Sequence, residues 1–298
     1  MLLYRRRLGE YAFDKFNELL MLLLIAVTLI PFLHVVFASF SSSAEVLMNR
    51  GIFLWPKGFN LEAYKYALSH PVLIPSFFNT VYYAAAGTII GLIFMSMAAY
   101  AFSKRAFPGK KAFLFLIVFT MFFGGGMIPS YINIRNLGLI DKRLVMIIPA
   151  CISTWSIIIL RTGFKQVPAS LSESAYLDGA NDFVILFKII IPLSKAMLAV
   201  ASLYSIVGYW NSWFPALIYL RDRSKYPLQM VLREIVIVGQ MNEITNRLSE
   251  ELVSYKRSAM EEVIKYATMV LTTGPIILVY PFMQKYFIKG VIVGSLKE

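Results

Sequence analysis

The most charged and turn-prone stretch in the interior of an otherwise apolar chain is PASLSESAYLDGANDFVILFKIIIPL, residues 168–193. Its carboxylates, Glu173, Asp178 and Asp182, would need partners to do covalent chemistry, and the sequence supplies none. His34 and His70 lie far apart, so no histidine-rich metal cluster exists. The lone Cys151 sits within an apolar run and excludes an intramolecular disulfide or a cysteine-clustered metal site. The glycine run Gly124-Gly125-Gly126 continues as Met127-Ile128-Pro129, with no lysine to reach a phosphate, so it is not a nucleotide-binding loop. No catalytic residue, metal or cofactor site is expected in this chain.

The local signals in 168–193 describe a helix–turn–helix elbow. Ser170 with Glu173 three residues later has the spacing of a capping box, and Pro168 cannot continue a preceding helix. The first helix would pass through Ala175, Tyr176 and Leu177 and stop near Gly179, where positive φ is cheap. Asn181 is a good cap for a second helix, and Asp182 suits its first turn. Phe183, Leu186, Phe187 and Ile190 are spaced for one apolar face, and Pro192 then breaks or kinks the chain. Such a hairpin has two readings: a lever, or a small amphipathic element resting on lipid headgroups.

The elements that hold this elbow are membrane spans. Of 298 residues, 58% are hydrophobic and only 15% are charged, against about 25% charged in soluble domains. Mean hydropathy is +0.65. Nearly apolar runs cover 19–40, 77–102, 112–134, 144–164, 196–220 and 266–284, each near the ~20 residues a membrane helix needs. The expected class is an all-α integral membrane protein with six spans. The expected division is an N-terminal tail, span and loop over 1–70, a transmembrane domain over 71–285 with the elbow at 165–192, and a tail over 286–298. The first run is too long for a signal-peptide core and reads as a retained span. Arg5, Arg6, Arg7 and Lys15 precede it, and Lys104, Arg105, Lys110 and Lys111 crowd the next loop on that side. Those charges put both termini, and the elbow, in the cytoplasm. The net charge of +12 needs no nucleic-acid partner, since anionic lipid suffices.

The spacing Glu173-Ser174-Ala175, three residues, Gly179, nine residues, Ile189-x-Ile191-Pro192 resembles the Glu-Ala-Ala…Gly…Ile-x-Leu-Pro loop of ABC importer permeases. Ser174 and Ile191 are small departures from the family's Ala and Leu. The segments FFNTVYYAAAGTIIGLIFMSMAAYAFSK at 77–104, NSWFPALIYL at 211–220, YPLQMVLREI at 226–235 and the C-terminal GVIVGSLKE extend the likeness over nearly the whole chain. They are similar to the carbohydrate-uptake branch, in particular to the second permease of maltose-type, oligosaccharide and polysaccharide importers, uronate importers included. The resemblance implies a type I permease fold with six transmembrane helices in a bacterial cytoplasmic membrane. It implies a second, different permease, two ATPase subunits that hold the ATP and Mg, and an extracytoplasmic sugar-binding protein. It also makes the elbow the coupling helix, with Glu173, Ser174, Ala175, Asp178, Gly179, Asn181 and Asp182 carrying the ATPase contact and its geometry.

Three further features keep two readings each. The triple glycine before Pro129 either ends a helix or allows close packing, or it leaves a broken segment lining the passage. Trp210, Asn211 and Trp213 belong to an interfacial aromatic belt or line a sugar path, and Asn79 invites the same argument, because an amide facing hydrocarbon is costly. Residues 221–265 are a solvated connector or a docking surface for the binding protein. Ser258 with Glu261 suggests a helix start there. The competing classes are an ion-coupled secondary transporter and a non-transporting membrane subunit. The spans lack the acidic residues that ion coupling uses, and no inverted repeat is visible.

Overall fold

The structure is a computed structural model that describes residues 8–49, 51–104, 107–246, 260–279 and 281. Among them every regular element is helical. The chain divides into two compact units, Met1–His70 with Glu234–Thr272, and Pro71–Arg233 with Thr273–Glu298. Residues 234–272 thus group with the N-terminal segment and not with 71–233.

In the first unit, α1 runs over Leu8–Ser39. Its apolar side chains, Phe16, Leu22 and Val27 among them, are exposed around most of the helix, as a lipid-facing span requires. Helix α2 is Ser43–Met48, capped by the Ser42 side chain, and α3 is Glu62–Ser69. A small core joins Ala38, Val46, Phe53 and Ala63 to Val263 and Ala267. The His34 Nδ1 accepts the Phe53 N–H at 3.0 Å, and the Ser39 and Tyr64 hydroxyls bond at 2.7 Å.

The second unit is organised around α4, Leu73–Ser103. Its buried positions include Ser76, Thr80, Tyr83, Gly87, Gly91, Met95 and Ala99, a helical stripe of mostly small residues. Small residues let helix backbones approach where lipid supplies no hydrophobic drive for association. A Cβ added at Gly91 would strike the Cys151 carbonyl, and one added at Gly87 would strike the Tyr209 ring. The Tyr209 hydroxyl in turn donates to the Ile147 carbonyl at 2.9 Å. At its C-terminal end, Arg161 Nε donates to the Phe102 carbonyl at 3.0 Å and Lys110 Nζ to the Lys104 carbonyl. Cations thereby satisfy carbonyls that no helical partner reaches.

The later spans are broken. Instead of one run over 112–134, α5 (Lys110–Phe122) and α6 (Met127–Asn136) meet at 112°. The break is Gly124–Gly126, with φ +82° at Gly126. Instead of a helix over 144–164, two 3-10 turns at Arg143–Met146 and Ile148–Ala150 precede α7 (Thr154–Phe164) at 49°. Pro149 cannot donate in that stretch, and the Ser153 side chain caps α7 by accepting from the Ser156 N–H. The elbow consists of α8 (Ala169–Leu177) and α9 (Asp182–Leu193). Helix α10 (Lys195–Trp210) follows α9 at 87°. The expected span 196–220 ends early, at Trp210, and resumes as α11 (Phe214–Tyr219) with Pro215 in its first turn. Helix α12 is Leu228–Asn246, and α13, Met260–Val279, begins before the expected 266. The capping serine expected at 258, Arg105 in the loop after α4 and the C-terminal motif at 290–298 lie outside the described residues.

The close approaches make a prediction. Gly91→Ala should cost about 1–3 kcal/mol, because backbone must move to admit the methyl group. Gly163→Ala should cost less, because its obstacle is the Met197 side chain. Thermal unfolding in detergent reads both, and equal shifts would show that α4 and the Cys151 backbone separate freely.

Candidate coupling site

The elbow is set by its turn. Helix α8 ends in paired bonds, the Gly179 N–H to the Tyr176 carbonyl at 3.0 Å and the Ala180 N–H to the Ala175 carbonyl at 2.9 Å. This is the Schellman arrangement, whose left-handed residue is Gly179 at φ +82°. The space around Gly179 is open, so the backbone angle and not packing demands glycine there. The Asn181 side chain then accepts the Val184 N–H at 2.9 Å and starts α9, as its residue type implies.

The other end of α8 differs from the expectation. Pro168 occupies the N-cap position and no side-chain cap forms, so Ser170 and Glu173 make no capping box. The helix begins two residues early because Pro168 already has a non-helical backbone with φ fixed by its ring, which suits a helix entry. Glu173 is left exposed.

The apolar face of α9 is also rotated. Ile185, Leu186 and Ile190 are buried, while Phe183 is 60% and Phe187 43% exposed. A π turn over Leu186–Ile190 is the cause. Its wider turn admits an extra residue and carries Ile185 and Ile190 onto the inner face. Leu177, 90% exposed, stands out at the bend, and Phe183, Glu173, Ser174 and Asp178 are exposed as well. Ala175 is half-buried beneath them. Exposed apolar side chains and carboxylates on one elbow suit a partner that offers an apolar socket and cations.

Asp182 points elsewhere. Its Oδ1 accepts from Lys104 Nζ, the Tyr176 hydroxyl and, at 3.2 Å, the Tyr100 hydroxyl. Lys104 Nζ also donates to the Tyr176 oxygen at 2.7 Å and lies 4.7 Å from the Tyr100 ring centre. Hydrogen bonds from Lys104 and Tyr176 hold the Asp182 carboxyl below the usual carboxylate range. Burial works against the Lys104 charge, but its bonds to Asp182 and Tyr176 outweigh that and raise it. From sequence alone, Lys104 bears only on orientation. The signal that could have found this cluster is Tyr176 six residues before Asp182, one on each side of the glycine turn.

The residues expected along a sugar path are spread over the other end of α4. Asn79 is 5% exposed, and its amide donates to the Ser224 and Tyr226 carbonyls at 2.7 and 3.1 Å. Tyr83 donates to the Lys225 carbonyl at 2.8 Å, and Thr80 Oγ1 accepts the Leu228 N–H at 2.8 Å. These side chains fasten the loop before α12. Asp141, at φ +56°, completes the knot, since its Oδ1 accepts the Arg221 and Asp222 N–H groups, both at 3.1 Å. Those backbone donors, with Lys225, hold its carboxyl low. Trp210 is buried with its ring edge-on to Phe77. Asn211 and Trp213 sit in the break between α10 and α11, where Asn211 is exposed and the Arg233 guanidinium lies 4.5 Å above the Trp213 ring.

Comparison with known proteins defines the class. The family described as "Binding-protein-dependent transport system inner membrane component" matches residues 111–293. The polygalacturonan/rhamnogalacturonan transport system permease protein YtcP of Bacillus subtilis (strain 168) is 41% identical over 95% of this chain and 96% of its own length. Protein LplC of the same organism is 39% identical over 96% and 95%. A solved structure, of a bacterial ABC transporter involved in the import of the acidic polysaccharide alginate, superposes with a TM-score of 0.83 at 34% identity, over 95% of this chain and 99% of that one. The chain belongs to this family of inner-membrane permeases and has the type I ABC importer permease fold. Membership implies an ATPase and a solute-binding protein as partners.

Asn79→Ala should unfasten the loop at 224–228. Leaving two carbonyls without their donor should cost about 1–3 kcal/mol, read as a lower unfolding temperature and faster proteolysis at 221–226. A variant as stable and as resistant as the parent would show that the amide is not what holds the loop.

Proposed function

We propose that this chain is the transmembrane permease subunit of an ATP-driven importer for an oligosaccharide or polysaccharide fragment delivered by an extracytoplasmic binding protein. The relatives named for polygalacturonan/rhamnogalacturonan and for acidic alginate favour an acidic glycan. The chain pairs with a second, different permease, and helix α5, which buries none of its residues within this chain, is a surface that such a pairing would cover. ATP and Mg bind in two separate ATPase subunits. Both termini and the elbow face the cytoplasm.

The observation that carries the reading is the elbow. A rigid turn closed by Gly179 leaves Leu177, Phe183, Glu173 and Asp178 exposed. Its inner face is packed on α4 and α7 through Ile185, Leu186 and Ile190. A load applied to the outer face therefore reaches the spans. In such a two-state machine, ATP shifts the populations through contacts that differ between the states. Asn211 and Trp213, at the break after α10, offer an amide and an aromatic face to a passing sugar. Asn79 and Trp210 act behind them as supports.

The test is reconstitution of the chain with its permease partner, the ATPase subunits and the binding protein in liposomes. ATP-dependent accumulation of oligogalacturonates is expected. Gly179→Val, a β-branched residue at positive φ, and Glu173→Lys should each abolish accumulation and sugar-stimulated ATP hydrolysis together, while the chain still reaches the membrane. Lys111→Ala is the control. Transport at parental rates in both elbow variants would reduce residues 168–193 to a passive surface hairpin. Selective binding of amino acids or metal ions by the binding protein would refute the sugar.

A further inference from the structure

We infer that Lys104, Tyr176 and Asp182 form a polar latch that fastens the elbow to the end of α4, so that elbow and α4 move as one body. The inference rests on the elbow being the ATPase contact. It gives Asp182 a positioning role directed inward, in place of a contact with the ATPase.

Two kinds of contact join the elbow to the spans. The apolar one, Ile185 and Leu186 against Ala99 and Phe102, is non-directional and tolerates sliding. The polar one is directional. A single carboxylate oxygen of Asp182 gathers three donors from two elements: Tyr176 on α8, and Tyr100 and Lys104 at the end of α4. The Lys104 ammonium is held between the rings of Tyr100 and Tyr176, at 4.7 and 5.5 Å from their centres. Its own backbone carbonyl is held by Lys110. The latch also crosses the glycine turn, because Tyr176 precedes Gly179 and Asp182 follows it. One lysine therefore ties both arms of the elbow to α4.

The mechanical consequence follows from connectivity. Covalently, the elbow joins α7 through residues 165–168 and α10 through an 87° bend at Ser194, but it has no chain connection to α4. Without the latch, a push on the elbow reaches α7 and α10 through the chain, but α4 only through the apolar contact that tolerates sliding. With it, the push also enters α4, whose far end holds the loop at 224–228 through Asn79, Thr80 and Tyr83. The side chains of Lys104 and Asp182 are 32% and 55% exposed, so solvent screens the pair and its effect is graded.

The experiment measures glycan transported per ATP hydrolysed by the reconstituted importer, with oligogalacturonate as the probe. Lys104→Met should lower that ratio about fivefold, the effect of losing one partly screened pair, while the ATPase subunits still copurify. Tyr176→Phe, which keeps the ring and removes the hydroxyl, should lower it in the same direction. The exchange Lys104→Asp with Asp182→Lys should restore most of the ratio. Ratios unchanged in Lys104→Met and Tyr176→Phe, or an exchange that restores nothing, would overturn the latch while the parental importer still works. A parental complex that accumulates no glycan with ATP would overturn the importer reading and the latch with it.

Discussion

The second unit depends on the close approach of α4 to the backbone at Cys151 and to Tyr209. Both contacts exist because Gly91 and Gly87 lack a Cβ. Lipid offers no partner for a stray carbonyl, so a broken span is tolerated only where protein lines it. Helix α4 is unbroken, and the pieces around it are not. It spans 31 residues, which is about 46 Å at the helical rise. That is enough to cross the hydrocarbon and emerge on both sides.

Each end of α4 does a different job with the same device, side chains that reach past the helix to hold backbone or charge. At one end Asn79, Thr80 and Tyr83 bind a loop. At the other, Tyr100 and Lys104 bind the elbow. The surrounding segments carry the breaks, at 123–126, 151–153 and 211–213, and so can change angle while α4 keeps its length. The elbow is stiff for a related reason. Gly179 is locked by paired bonds in a Schellman turn and Asn181 caps the helix that follows.

The sequence made the elbow legible because its signals are local. A glycine that must turn left-handed, an asparagine that caps and a proline at the helix entry act within a few residues of themselves. The class was legible because so large an apolar fraction has no soluble explanation. What stayed hidden depends on distant partners. Asn79 reads equally as a path-lining amide or a loop-holding one, and only the position of the Ser224 and Tyr226 carbonyls decides. The π turn in α9 rotates its apolar face, yet Phe183, Leu186, Phe187 and Ile190 spell an ordinary amphipathic helix. Ser170 and Glu173 spell a capping box that Pro168 pre-empts. The break after Trp210 escaped because the run 196–220 carries no charge and its Asn211-Ser212 pair reads equally as polar positions within one span, whereas the break at Gly124–Gly126 is written in its residues.

The central claim is that the outer face of the elbow seats in an ATPase subunit. Leu177, 90% exposed at the tip of the bend, is the position to interrogate. A photoreactive amino acid placed there in the assembled importer, and illuminated in native membranes, should crosslink the chain to the ATPase, with a yield that changes when ATP is added. A crosslink to lipid alone, or to nothing, would contradict the claim and leave the elbow as a hairpin on the membrane surface.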